Sequence, residues 1–453
     1  MAEDTKLRGT ISNRDDRDGA FWTATLKPDS MAASESSACN SWYRAKCVLA
    51  WNIGVACLLL GHTLGHATAK ELFQVTLVSP TLNDGMPETV SFKDAKDAAN
   101  QLDSGNLTKI FPGYNETVPI SGNFAVRGLQ ATAFFNEDSS ILFLDVPCAG
   151  INDKAFGTAS GSRNESVHEM KDFLTSAGGE QKDILKCFVS DTPIDPVAGN
   201  PNSLMAKMAS ADYAVGIRTD AGEDNLLSVG GEIGYSKAQG YETKYISLPL
   251  NYVLTVPKQS GPPYAFILDM PLRYVDLEGA DIFDGSLGLG FRAPILNRWS
   301  LTPVIRAGFV GSTNTGSVQS IYSGSTTSRF DFFVSDLRLS VNNMLGYFQT
   351  GKISGGDFSQ DYDVKNIIFR NGLSVEGSLN FALFDDPTSW EIQYIDTRIT
   401  GDNWYNNWYD EIVVSLGTRQ RATRMKWQDL RIAARYTFAD NFDRVELAIN
   451  YRF

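Results

Sequence analysis

From residue 226 onward the chain alternates apolar and polar residues with a period of two. Leu227, Val229, Gly231, Ile233 and Tyr235 fall on one side, and Ser228, Gly230, Glu232 and Gly234 on the other. The pattern returns as Ile246, Leu248, Leu250 and Tyr252 against Ser247, Pro249 and Asn251. It recurs as Phe266, Leu268, Met270, Leu272 and Tyr274 against Asp269, Pro271 and Arg273. Leu287, Leu289 and Phe291 then oppose Gly288, Gly290 and Arg292, and Leu301, Ile305, Ala307 and Phe309 oppose Thr302, Arg306 and Gly308. Successive side chains of a strand point to opposite faces, so each run predicts a strand with one apolar and one polar surface. Further strands are predicted at 329–338, 338–350, 366–380, 388–399, 408–418, 427–438 and 443–453, which makes about twelve, with the pattern blurred over 312–350. Residues 351–365 are the one long loop expected.

Alternation is compatible with two arrangements. A soluble sheet turns its apolar face inward, whereas a membrane barrel turns it to lipid. Three features favour the barrel. Many runs reach about nine to eleven residues, enough to cross a bilayer when tilted. Aromatics recur at strand ends (Tyr235, Tyr252, Tyr274, Trp299, Phe309, Trp390, Tyr436 and Phe438), as interfacial girdles require. A secretion signal upstream supplies the route. Closure follows because lipid cannot satisfy the hydrogen-bonding groups of an open edge. No apolar stretch is long enough to predict a membrane-spanning helix.

That signal is expected at residues 31–69. Arg44 and Lys46 precede an apolar core from Cys47 to Gly61, and Ala67-Thr68-Ala69 gives a small-residue cleavage site after Ala69. Residues 1–30 are polar and aperiodic, and Met31 is the expected true start. Cys39, Cys47 and Cys57 would leave with the signal, so Cys148 and Cys187 remain as an even pair in an oxidising compartment, where a disulfide is expected.

Residues 70–202 predict a small α+β domain. Ser91 is placed as the cap of a helix through Leu102, with Phe92, Ala95, Ala99 and Leu102 on one face. Residues 123–135 and 140–146 predict a hairpin. A helix follows from Ser162 and stops at Gly178-Gly179, and a short one holds Ile184, Leu185 and Cys187. The proline-rich run 191–202 is expected to be a linker.

The last strand places Val445, Leu447, Ile449, Tyr451 and Phe453 on one face, with Arg444, Glu446, Ala448, Asn450 and Arg452 on the other. An alternating strand with an aromatic third from the end and a final phenylalanine resembles the terminal signal of bacterial outer-membrane barrels. The resemblance implies recognition by the barrel-assembly machinery through Tyr451 and Phe453, with Leu447 and Ile449 in support, and insertion into the outer membrane of a Gram-negative bacterium. Within the barrel region 203–453, residues from about 210 to 453 resemble outer-membrane barrels in general, including autotransporter translocator domains. The helical stretch Ser203–Ala209 before the first strand suits that pattern. The wider chain also has the look of a proteobacterial two-part barrel family. No long repetitive β-helix precedes the barrel.

Charge and histidine content narrow the function. The formal net charge is −13, and acids and bases balance up to residue 69, so the acidic excess lies beyond it. An acidic chain without a basic tract argues against nucleic-acid binding. His62, His66 and His168 are the only histidines, so none lies in the barrel. That argues against barrel enzymes that activate a hydroxyl or water with histidine, and no catalytic residue, metal site or cofactor is expected; the alternative is an outer-membrane hydrolase with a lysine or carboxylate base. His168 beside Glu165 and Glu169, and Asp191 with Asp195 and Asn202, fit no metal-ligand spacing.

Glu232, Asp269, Arg273, Arg292, Arg306, Glu376, Arg431, Arg435, Glu446 and Arg452 occupy polar-facing positions and are expected in the lumen. They would line a solute path or pair with one another across the barrel. The expectation is a pore or transport role, with residues 70–202 periplasmic or plugging the lumen. The alternatives are a translocator that displays residues 70–202 on the surface, or a structural or adhesive membrane protein. Outer-membrane lipid is the expected partner, and the pattern gives no oligomeric state.

Overall fold

The computed structural model describes residues 70–452 apart from 95–96, 99, 176–177, 219–224, 356–357, 384–385 and 419–428. The signal segment with Ala67 and Ala69, the cysteines within it, and Phe453 lie outside the described residues, as do Ala95 and Ala99.

The N-terminal domain is built on an antiparallel sheet. Its strands are β1 (Phe73–Val78), β2 (Glu88–Phe92), β3 (Ile120–Val126), β4 (Leu129–Phe135), β5 (Leu142–Val146) and β6 (Ile151–Phe156), in the order β2-β1-β3-β4-β5-β6. Phe73, Val75 and Leu77 alternate into the core with Leu142 and Leu144. Leu107 of helix α1 (Ser104–Ile110), and Val167 and Met170 of α2 (Arg163–Thr175), complete that core. A third helix, α3 (Gly179–Asp191), carries Cys187, which is joined to Cys148 with the Cα atoms 6.0 Å apart. The bridge ties the turn after β5 to α3 across 39 residues of sequence.

Two local expectations are corrected here. Ser91 lies in β2 and caps no helix, because the β-branched pair Thr89-Val90 favours the strand; the helical turns come later, at Asp97 and Ala98, at Asn100–Leu102 and in α1. The expected strand 123–135 is itself a hairpin, broken at Arg127-Gly128, where φ is 50° and 93°. Consecutive left-handed residues make the tight turn that matches strand twist, and glycine adopts that conformation without steric cost.

Twelve strands close the barrel: β7 (Leu226–Ala238), β8 (Tyr241–Val256), β9 (Tyr264–Leu277), β10 (Ala280–Leu296), β11 (Trp299–Ser312), β12 (Ser317–Val334), β13 (Leu337–Gly351), β16 (Lys365–Leu383), β17 (Asp386–Gly401), β18 (Trp408–Thr418), β19 (Asp429–Ala439) and β20 (Phe442–Arg452). All neighbours are antiparallel, and β20 pairs with β7 to shut the ring. The loop 351–365 carries a small hairpin, β14 (Ile353–Gly355) with β15 (Phe358–Gln360).

The strands run from 11 to 19 residues, longer than the expected runs. They continue beyond the apolar belt to the mouth that holds the N-terminal domain. The expected strand 329–338 is displaced: β12 spans Ser317–Val334, and Ser335, with φ at 53°, starts the turn. The alternation fades there because Gly324, Thr326 and Ser328 put small and polar residues on both faces of β12.

The sign of the alternation is now decided. Ile246 is 62% exposed and Ile305 65% exposed on the outer wall, whereas Arg306, Arg370 and Arg444 are buried inside. An apolar exterior of this extent is stable against hydrocarbon and not against water.

Candidate functional site: the occupied lumen and its neck

Within the run 191–202, expected to be a linker, residues 192–201 are buried. They form a neck at one barrel mouth. Asp195 Oδ1 accepts from the amides of Val197 (2.9 Å) and Ala198 (3.3 Å), which turns the chain inward. Asp195 Oδ2 pairs with Arg127 Nη1 at 3.1 Å and accepts from the Tyr362 hydroxyl at 3.3 Å. Burial pushes the Asp195 carboxyl above the usual carboxylate range, while Arg127 and the two amides draw it back. Arg127 also donates to Ser317 Oγ at 2.8 Å, at the start of β12, and its guanidinium lies 3.9 Å from the Phe188 ring centroid. One buried cluster thus joins the domain, the neck and the barrel rim.

Past the neck, Ser203 caps helix α4 (Leu204–Ile217) by accepting from the Ala206 amide. The sequence signal at 203–209 marked only its first half. The helix lies in the lumen because the wall makes room and supplies partners. A Cβ at Gly308 would stand 2.6 Å from the Met208 sulfur, and Gly372 lies against the Tyr213 hydroxyl. Val215 packs on Val253, Ala265, Ile267 and Val304, an apolar patch on the inner wall.

Charges hold the rest of the helix. Arg306 donates to Asp212 and to Asp269, each at 2.6 Å, with the Arg306 and Asp212 side chains fully buried. Lys207 pairs with Glu446 at 3.1 Å, Arg435 meets the same carboxylate at 2.9 Å, and the Tyr245 hydroxyl donates to it. Arg370 donates to Ser210 at 3.1 Å and pairs with Glu411, which Arg444 approaches at 3.4 Å. At the helix C-terminus, Arg292 donates to the Val215 carbonyl at 3.2 Å and Arg329 to the Ile217 carbonyl. Cations there satisfy free carbonyls and oppose the negative end of the helix dipole.

The expected lumen charges therefore point inward, and most have named partners. Arg273 pairs with Asp284 at 2.5 Å and reaches the Asn202 carbonyl at 2.8 Å, Arg431 pairs with Glu391 at 3.3 Å, and Glu376 pairs with Arg338. Glu232 lies opposite Ala448 on β20, and the Arg452 side chain lies outside the described residues. The sequence reading left Lys207, Asp212, Arg370 and Glu411 out of the set. Arg370 and Glu411 sit on predicted strands at inward parity, a signal that was available. Lys207 and Asp212 project from α4, and no strand periodicity could find them.

The residues considered for metal binding do not converge. Asp195 is committed to Arg127, Asn202 donates to Ser236 Oγ at 2.6 Å, Asp191 is exposed, and His168 is exposed with Asp172 3.6 Å away. The assembly-signal residues Leu447, Ile449 and Tyr451 lie on the outward side of β20. The chain's own helix runs through the lumen, whose openness the sequence left undecided.

The direction of threading follows from register. Ser228 at the start of β7 pairs with Arg452 at the end of β20, so both barrel termini share one mouth. The N-terminal domain sits on the other. Lys186 pairs with Asp402 at 3.1 Å and Lys182 with Asp361 at 2.6 Å, while Tyr405 and Asn406 donate backbone bonds to Val189 and Gly199 at 2.9 Å. All four partners belong to connections at the mouth opposite the barrel termini.

No family model matches the chain, and no curated protein is similar to it in sequence. Among solved structures it is similar to the β domain of the Bordetella autotransporter BrkA, at 12% identity over 51% of this chain and 98% of that one, with a TM-score of 0.40. It is also similar to the translocator domain of the autotransporter NalP from Neisseria meningitidis, at 14% identity over 55% and 94%, with a TM-score of 0.38. The KdgM porin is a third, at 10% identity over 50% and 99%, with a TM-score of 0.29. The chain itself forms a closed antiparallel barrel of twelve strands.

Proposed function

We propose that the barrel is a translocator that carries residues 70–202 to the outer face of the outer membrane and anchors them there. One observation supports this over the pore reading. The neck and α4 connect a domain at one mouth to strand β7, which begins at the other. In outer-membrane barrels with an even number of strands, both barrel termini face the periplasm, the side from which the assembly machinery would read β20. A domain at the far mouth then faces outward, and the polypeptide between them is the trace of its passage. Export by a cleaved signal at Ala69 and insertion through Tyr451 and Phe453 belong to the same proposal. The helix remains as the stopper, held by Arg306 and Glu446, and no catalytic group is needed.

Protease treatment of intact cells making the full precursor tests the reading. The expected result is loss of an epitope placed in residues 70–202 while the barrel survives. Protection of that epitope until the outer membrane is opened would overturn it. Purified protein in planar bilayers is expected to be silent, and to conduct once residues 204–217 are deleted.

A further inference from the structure

The outer wall is not uniform around the barrel. On strands β8 to β11 the outward positions paired across the wall are Tyr252, Leu268, Leu289 and Ile305, all exposed and all apolar. On the other side a polar stripe crosses five consecutive strands. Ser328 of β12, Asn343 of β13, Asn371 of β16, Asp396 of β17 and Asp410 of β18 are direct cross-strand partners, each pointing outward.

The acids in the stripe find partners within the chain. Arg398 lies 2.6 Å from Asp396, and the Tyr394 hydroxyl bonds Asp410. Among the described residues the two amides have only each other. Asn343 Nδ2 donates to Asn371 Oδ1 at 2.8 Å, which leaves most of the pair's donors and acceptors unmet. Both lie inside the apolar belt. Val341 and Leu345 flank Asn343 along its strand, Phe369 and Leu373 flank Asn371, and all four are exposed to the same surroundings. Hydrocarbon offers such amides no hydrogen bond. The neighbouring strand presents Gly324, Thr326 and Ser328 outward, and above Gly324 there is open space. Small outward residues let a second wall approach closely.

We propose that the outward faces of β12, β13 and β16 form the interface between two copies of this chain in the membrane. An amide is both donor and acceptor, so an Asn343/Asn371 pair is complementary to itself. Two copies inserted by the same route share one orientation and are related by a two-fold axis along the membrane normal, which sets the same patch against itself. The stripe runs obliquely because the strands tilt, so two facing stripes cross. The amides, at the middle of the stripe, meet at that crossing. The interface rests on the membrane barrel alone and does not require surface display.

Asn371→Cys in the full chain, cross-linked in intact outer membranes, tests the interface against Leu268→Cys on the apolar wall. A band at twice the monomer mass is expected for Asn371→Cys and none for Leu268→Cys. The double variant Asn343→Leu/Asn371→Leu removes polar groups from the belt and should fold. It is expected to lose the doubled mass that the wild-type chain shows when released from membranes for native mass spectrometry. Equal cross-linking at both positions, a cross-linked partner of different mass, or a wild-type chain of single mass would overturn the proposal. Protease results on display leave each of these outcomes unchanged.

Discussion

The two sheets of this chain use one alternation with opposite sign. In the N-terminal domain Phe73, Val75 and Leu77 turn inward, and Gln74 and Thr76 lie on the more open face with Asn123 and Thr132. In the barrel Leu268, Leu289 and Ile305 turn outward, while Asp269, Arg306 and Arg370 are sealed inside. The difference is the solvent each sheet meets. Water rewards a dry interior, whereas lipid rewards a dry exterior and leaves the lumen to polar groups. Buried charge inside the barrel then has to be paired, and the pairs are made between strands, as Arg370 with Glu411, and with α4, as Arg306 with Asp212 and Lys207 with Glu446. A soluble core is held together by apolar area, and this lumen by ion pairs and backbone carbonyls.

Three substitutions break or sharpen that comparison. Arg306→Leu should have the largest effect, because it leaves Asp212 and Asp269 buried without a counter-ion. Breaking a buried pair typically costs about 3–5 kcal/mol, and the expected readout is a lower temperature for loss of the compact barrel band on unheated gels. Conductance from the previously silent barrel should accompany it. Ile305→Arg on the outer wall comes next. A charge facing the middle of the bilayer costs about 2–4 kcal/mol, measurable as a lower urea midpoint when the barrel is refolded into lipid vesicles. Thr132→Arg on the open face of the domain sheet is the control. It should shift the domain's melting by no more than about 0.5 kcal/mol, as exposed positions do. If Thr132→Arg were as damaging as Ile305→Arg, the two faces would not differ in solvent.

Much of the barrel was legible in the chain because strand parity is a local property. Every inward charge expected from Glu232 to Glu446 and described here falls on the polar face, since alternate side chains of a strand cannot share a side. Legibility failed in particular places. β12 was misplaced because Gly324, Thr326 and Ser328 erase the contrast between its faces, and those residues border the stripe at Asn343 and Asn371. The hairpin at Arg127-Gly128 was missed because a two-residue turn leaves the apolar rhythm on either side intact. The neck reads as a linker because proline, glycine and asparagine write the same composition whether the segment is solvated or, as around Asp195, folded on itself and buried.

The sequence by itself determined which residues share a face and that the barrel carries no histidine, and it brought the strand count to about twelve. Only the tertiary structure decided which face meets lipid, what fills the lumen and at which mouth the N-terminal domain sits. The reason is physical. Parity depends on the geometry of one strand, whereas facing, filling and threading depend on contacts such as Arg306 with Asp212 or Arg127 with Ser317, between residues separated by 94 and 190 positions. Such contacts exist only once the ring has closed around its own helix.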